Sequence, residues 1–279
     1  MIKELDSDFD EIILGDSIEL IVGMDLSFNS TGLTFTTTIN GNGLGCEFHR
    51  IVYETKPTPI KNINQHTYNL PLNINLDDIV DDTDFYSEDQ AFITVKAMMC
   101  SKRIMMLLVD KIKRLEKKYP DDNISVYVNI EGFIMSSFAG NQQLRVLGGL
   151  IMLQGLVRSD LIKLQIQKNF KDFKIFITSP TELKSYFTGD GSTNTDKQKM
   201  LDVFLEVFEG SKLLPDTKSL AKVNDVIDSF ALMINCYHRV FFSNDFYLWK
   251  TRKEQTKKQK KALTKNKARK KEVEKIIHL

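Results

Sequence analysis

Cysteine, histidine and proline are scarce in this chain of 279 residues, at three, four and six copies. Cys46, Cys100 and Cys236 are odd in number, far apart and free of any CxxC spacing, which excludes a disulfide framework and a cysteine-built zinc site. The thiols read as reduced and buried, as in a cytoplasmic protein. His49, His66, His238 and His278 form no HExxH or other ligand spacing, so histidine-based zinc chemistry is not expected. Long apolar runs are also missing: the longest is IMMLLV over 104–109, and the acidic opening MIKELDSDFDEIIL has no signal-peptide pattern. Neither a membrane span nor a secretion signal is expected. The 42% hydrophobic and 10% aromatic content is enough to fill the core of a soluble globular protein.

Net charge is only +1, but it is unevenly spread. Residues 250–279 carry 13 Lys and Arg against three Glu, while the remaining chain carries 25 against 34. A slightly acidic body thus bears a strongly basic tail. The partner of such a block is usually a polyanion, although a solubilising tail or an oligomerisation helix has the same composition.

IELIVGM (18–24), TGLTFTTTI (31–39) and CEFHRIVYE (46–54) are separated by turn residues and read as a three-stranded antiparallel meander. In the second, Leu33, Phe35 and Thr37 alternate with threonines, the period of a half-buried strand. Residues 56–87 contain Pro57, Pro59, Pro71 and the acidic DDIVDDTD, and read as an irregular insertion. A helix is expected over 88–119, a buried strand at ISVYVNI (124–130), a helix over 141–157, a strand at FKIFIT (173–178), and helices near 196–209 and 221–242. The order implies an α/β fold, a mixed five-stranded sheet with helices on both faces. The expected division is one α/β domain over 1–249, with 56–87 as its irregular acidic insertion, and a basic tail over 250–279.

Two strands end in carboxylates, IELIVGM in Asp25 and ISVYVNI in Glu131. If they are parallel neighbours, both acids project from the carboxyl-end rim, where open α/β sheets place their ligands. In NDVIDSFALMINCYH, Asp225 and Asp228 share one helical face beside an apolar stripe. Acids beside a core are costly unless cations or hydrogen bonds compensate them. Four carboxylates without Cys or His suit Mg²⁺ or Mn²⁺, and two such ions can activate water and stabilise the departing oxygen of a phosphodiester. Singly, each acid is an ordinary strand-end or helix-start residue.

In these motifs the sequence resembles the RuvC family of Holliday-junction resolvases, of the RNase H-like superfamily. GMDLSFNSTGLTF resembles its opening strand motif and IEGFIMSSFAGNQQLRVLGGLI its second, with Phe133 after the acid. SPTELKSYFTGDGSTNTDKQKM resembles the third block and NDVIDSFALMINCYH the closing one. The resemblance, covering roughly residues 18–240, implies that Asp25, Glu131, Asp225 and Asp228 bind two Mg²⁺ ions, replaceable by Mn²⁺. It also implies that Lys184 and Lys197 face the DNA backbone or the scissile phosphate. Gly189, Gly191 and Ser192 would form a backbone cradle for phosphate, and Phe133 would stack on a base or fill the core. The interval between Gly191 and Lys197 is longer than the family's, leaving Lys199 as the alternative to Lys197.

The resemblance leads to the expectation of a homodimeric, Mg²⁺-dependent endonuclease that resolves four-way junctions in DNA recombination and repair. Its setting would be cytoplasmic, the host cytoplasm if phage-encoded; low proline, abundant Asn, Ile and Lys and the insertion suggest an AT-rich genome. Another RNase H-like nuclease, such as a broad branched-DNA endonuclease or a transposase or integrase core, remains open, as does a catalytically silent junction-binding protein. An ATP-binding protein of the actin and sugar-kinase type would need a second glycine-rich hairpin and an adenosine motif, and neither is found.

Overall fold

The computed structural model describes residues 17–53, 59–68, 88–120, 123–132, 141–189, 197–208 and 223–244, the side chains of 44, 88–91 and 141–146 aside. Its strands are β1 (Ser17–Asp25), β2 (Ser30–Ile39), β3 (Asn42–Val52), β4 (Ile63–Thr67), β5 (Asn123–Glu131) and β6 (Asp172–Thr178). Its helices are α1 (Glu88–Lys118), α2 (Asn141–Gln167), α3 (Pro180–Phe187), α4 (Lys197–Val207) and α5 (Asn224–Phe241). The chain forms two compact units, Met1–Cys236 and Tyr237–Leu279. In the second, the rings of Tyr237, Phe241 and Phe242 lie 5.0 to 5.9 Å from one another's centroids where paired with Tyr237. The basic run 250–279 is outside the described residues.

The strands make one six-stranded sheet in the order β4-β3-β2-β1-β5-β6. β1, β2 and β3 pair as the antiparallel meander, while β5 runs parallel to β1 and β6 parallel to β5. This is the mixed α/β sheet expected from the sequence, widened by one strand. The extra strand lies in the stretch 56–87 read as an irregular insertion, of which residues 59–68 are described: Ile63–Thr67 pairs parallel with β3, from Phe48 opposite Ile63 to Val52 opposite Thr67. Its INQHT has one apolar residue and no alternation, so it carried little strand signal. Tertiary contacts hold it instead. Arg103 Nη2 donates to His66 Nδ1 at 3.3 Å, and an arginine cannot accept, so the neutral His66 keeps its proton on Nε2 and donates it to His49 Nδ1 at 3.0 Å. Burial first, then the neighbouring His49 and Arg103, push His66 down to about 4.

Pleating sorts the sheet's residues between two layers. On one face Ile18, Leu20, Val22 and Met24 of β1 and Ile124, Val126, Val128 and Ile130 of β5 pack on Ile104, Leu108 and Ile112 of α1 and Leu153, Val157 and Leu161 of α2. On the other, Phe48 of β3 meets Phe204 of α4 at 5.8 Å and Phe230 of α5 at 6.1 Å. β2 is therefore buried on both sides, not half-buried as its alternation implies. Four of its five threonines are tolerated because their hydroxyls are bonded, Thr31 to the Ser27 carbonyl at 2.7 Å, Thr34 to Ser229 Oγ at 2.8 Å, Thr36 to the Gly45 carbonyl at 2.7 Å and Thr38 to Glu19 Oε2 at 2.6 Å, whereas the buried Thr37 hydroxyl has no partner among the described residues. Helix α3 was also not anticipated. Its capping residue, Ser179, accepts from the Glu182 amide, with Pro180 opening the helix.

α5 lies almost on the sheet backbone. A Cβ on Gly23 would stand 1.9 Å from the Ser229 carbonyl oxygen, and one on Gly32 2.0 Å from that of Asp225. Asn129 locks the contact by donating to the Leu232 carbonyl at 3.0 Å and to Asn235 Oδ1 at 3.1 Å while accepting from Thr178 at 2.9 Å. All four of these residues are buried or backbone, so each bond is made away from water. Gly23→Ala and Gly32→Ala are accordingly expected to cost about 1–3 kcal/mol each in urea unfolding. Gly155→Ala, on exposed α2 surface with nothing near the added atom, should gain about 0.5–1 kcal/mol through helix propensity. Similar effects at all three sites would contradict so close an approach.

Candidate active site

The directions of the strands fix one rim. β1, β3, β4, β5 and β6 all run the same way, so their carboxyl ends gather on the same edge of the sheet. The β1–β5 register ends with Met24 opposite Ile130, and the next residue of each strand is Asp25 and Glu131. Side-chain parity then decides the face. Gly23 abuts α5 and Asn129 bonds to it, so Asp25 and Glu131, two residues further along, point to the α5 side. α5 begins above this corner, with Asp225 in its first turn and Asp228 one turn on, because Gly32 admits the helix backbone there.

The four acids feel one another. Burial first, then the charges of Glu131, Asp228 and Asp225 and a hydrogen bond shared with Glu131, hold the Asp25 carboxyl well above the usual carboxylate range. Glu131 is pushed up to about 7 by burial and by Asp228, while its hydrogen bond with Asp25 and the charges of Lys184 and Lys197 pull the other way. Asp228 is pushed up to about 6, again mainly by burial, with both lysines opposing. A proton between Asp25 and Glu131 thus does part of what a cation would do. Among the described residues no three acidic, histidine or cysteine side chains close into a ready cage.

Asp225 is held differently. Its Oδ2 accepts from Arg50 Nε at 2.9 Å and from the Ser30 hydroxyl, and its Oδ1 accepts from the Val226 amide at 3.0 Å. Neither Arg50 nor Ser30 was singled out from the sequence. The signal was there in the strand period: in CEFHRIVYE, Arg50 has the parity of Phe48, whose ring packs under α5. An arginine on an inward position of a buried strand needs a carboxylate partner.

Lys184 on α3 and Lys197 at the start of α4 both act on Glu131 and Asp228. Lys199 is an exposed residue of α4. Gly189, with φ of +68°, follows the Thr188 cap of α3, where glycine commonly ends a helix. Gly191 and Ser192, expected at a phosphate cradle, and Phe133, expected at a base or in the core, lie outside the described residues. Gln154 of α2, not anticipated, donates to the Glu131 carbonyl at 2.6 Å and so fixes the end of β5 from the opposite layer.

No family model matches the chain, and no curated protein does. Among solved structures it is similar to RuvC of Thermus thermophilus, with 10% identity, a TM-score of 0.39, and coverage of 79% of this chain and 94% of that one. It is similar also to T. thermophilus RuvC in complex with Holliday junction substrate, with 9% identity, a TM-score of 0.35, and coverage of 82% and 95%. The yeast mitochondrial Holliday junction resolvase has 13% identity and a TM-score of 0.38, with 88% of this chain and 87% of that one covered.

Proposed function

We propose that the protein is a Mg²⁺-dependent, structure-specific DNA endonuclease that resolves four-way junctions by paired nicks, acting as a homodimer. The observation that carries this reading is the meeting of Asp25, Glu131, Asp225 and Asp228 at one rim, with Lys184 and Lys197 bearing on two of them. The donor set fits a hard divalent cation: every group is a carboxylate, and three of them are raised, first by burial and then by the charge of neighbouring acids. Asp25, Glu131, Asp225 and Asp228 would hold the ions, two per site and replaceable by Mn²⁺, with Asp225 first having to leave Arg50. Bound there, a divalent ion polarises a phosphoryl oxygen and lowers the pKa of water.

The chain's own contribution is position and charge. Asp25 and Glu131 sit on adjacent strand ends that cannot move without breaking the sheet, which is the rigidity a reacting centre requires. The Lys184 and Lys197 ammoniums would contact phosphate and offset the charge that grows on its oxygens in the transition state. A two-fold dimer would present two such rims to a near-symmetric four-way substrate, giving one nick on each of two strands. The basic run 250–279, with its 13 Lys and Arg, would add sequence-independent grip on the DNA backbone.

The deciding experiment is cleavage of a labelled four-way junction beside linear duplex and flap, in Mg²⁺ and in EDTA, with Asp25→Asn in parallel. Symmetric nicks confined to the junction, reduced to background by EDTA and by the substitution, are expected. Equal cutting of all substrates would point to a general branched-DNA nuclease, and tight binding without cutting in Mg²⁺ or Mn²⁺ to a silent junction binder. Removing residues 250–279 should weaken junction binding and flatten the salt dependence while metal-dependent cutting persists. An unchanged salt slope would show that the tail does not touch DNA.

The raised carboxyls also set a pH dependence. Their folded values lie above the unfolded range near 4, so the native state binds the extra protons, and the stability they contribute at low pH is lost as pH rises through about 6 and 7. Thermal melts in EDTA should therefore show the wild type losing several degrees between pH 5 and 8 relative to Asp228→Asn. Mg²⁺, which binds the deprotonated acids, should restore more at pH 8 than at pH 5. A wild-type profile parallel to that of the variant would contradict the crowding of these acids.

A further inference from the structure

Two kinds of carboxylate share the rim. Asp225 has a direct cationic partner: Arg50 Nε is 2.9 Å from Oδ2, and the two side chains are only 14% and 9% exposed. Oδ2 also accepts from the Ser30 hydroxyl and Oδ1 from the Val226 amide, so Oδ2 is filled by protein donors and only Oδ1 keeps a free lone pair. Asp25, Glu131 and Asp228 form no direct ion pair among the described residues. Glu131 and Asp228 feel Lys184 and Lys197 at longer range, and Asp25 and Glu131 share a hydrogen bond.

We propose that Arg50 is the resident counter-cation of Asp225 and withholds that carboxylate from divalent ions. The first ion is then taken by Asp25, Glu131 and Asp228, and a second is admitted when the Arg50–Asp225 pair opens. This rests on the divalent-ion reading of the rim given above. The argument is one of competition for a single oxygen: a guanidinium N–H and a metal ion cannot both occupy the same face of Oδ2. A buried pair of this kind is hard to break from one side, since it leaves an uncompensated charge. Asp225 also accepts its own helix's amide, and Gly32 presses on its carbonyl. Its resting role is therefore that of a positioning residue that seats the first turn of α5 and, with it, Asp228.

The proposal makes the two charges thermodynamically coupled toward metal, which a double-mutant cycle measures. Mn²⁺ is titrated calorimetrically into the full chain without DNA, for the wild type, Arg50→Gln, Asp225→Asn and the double variant, with Asp228→Asn as reference. The wild type is expected to bind one ion, and Arg50→Gln to bind a second or to bind about tenfold more tightly. That gain should vanish in the Asp225→Asn background. Asp225→Asn alone should leave the first ion within about threefold, whereas Asp228→Asn should weaken it by on the order of 10–100-fold. If Arg50→Gln does not fold, Arg50→Lys, which keeps the charge and removes the Nε donor, takes its place and should show a smaller gain of the same sign. The proposal is overturned if Asp225→Asn weakens the first ion as much as Asp228→Asn, or if the gain from losing Arg50 is the same with and without Asp225. A wild type that binds no Mn²⁺ would remove the divalent-ion reading itself, a result distinct from either.

Discussion

The approach of α5 to the sheet is the constraint on which the rest of this site depends. Helices usually rest on sheets through interleaved side chains, but here Gly23 and Gly32 remove the side chains at the contact and let α5 carbonyls come against the strand backbone. Polar bonds then take over from apolar packing. Thr34 meets Ser229, and Asn129 ties β5 to Leu232 and Asn235, all of them buried. These bonds have angular requirements that hydrophobic contacts lack, so they fix the rotation of α5 as well as its distance. With that rotation set, Asp225 and Asp228 can face Asp25 and Glu131.

The same closeness makes the site electrostatically expensive. Carboxylates brought from β1, β5 and α5 into one poorly hydrated corner repel one another and lose water, and Asp25, Glu131 and Asp228 all respond by holding protons more strongly. Such an arrangement opposes folding, and a fold tolerates it where other contacts carry the stability. Those contacts lie one layer away, in the apolar cluster of β1 and β5 with α1 and α2. The aromatic cluster of Phe48, Phe204, Phe208 and Phe230 on the α5 face serves the same end, with ring centroids as near as 4.9 Å.

How much of this could be read in the sequence follows from which interactions are local. β1, β5 and α5 announce themselves through continuous apolar runs or a helical stripe, and a carboxylate at the end of such a run is visible at once. Parity then gives Asp25 and Glu131 a common face without coordinates. β4 was hidden because INQHT is held by pairing with β3 and by the His49–His66–Arg103 chain, all distant in sequence. The Thr-rich β2 was legible as a strand but misleading as to burial, since a hydroxyl bonded to Ser229 or Gly45 is as much at home inside as a methyl group. α3 is the opposite case: Ser179, Pro180 and Glu182 form a local helix-start signal directly after FKIFIT.

Arg50 shows why the cations were harder to place than the acids. An acid at a strand end has a rim to point to, whereas a lone arginine in CEFHRIVYE acquires meaning only once it is known that β3 is sandwiched and that α5 begins above it. The sheet order supplies both facts, because β3 lies next to β2, and β2 carries the Gly32 on which Asp225 rests. The acids thus come from the two central parallel strands and α5, while the cations come from the periphery: β3 for Arg50, α3 for Lys184 and α4 for Lys197. Of the three, Arg50 is embedded in the sheet and directly bonded to its carboxylate, whereas the lysines act through charge alone. The carboxylate closest to the backbone contact is therefore the directly bonded one, and the electrostatic cost of the site falls on the carboxylates that Arg50 does not hold.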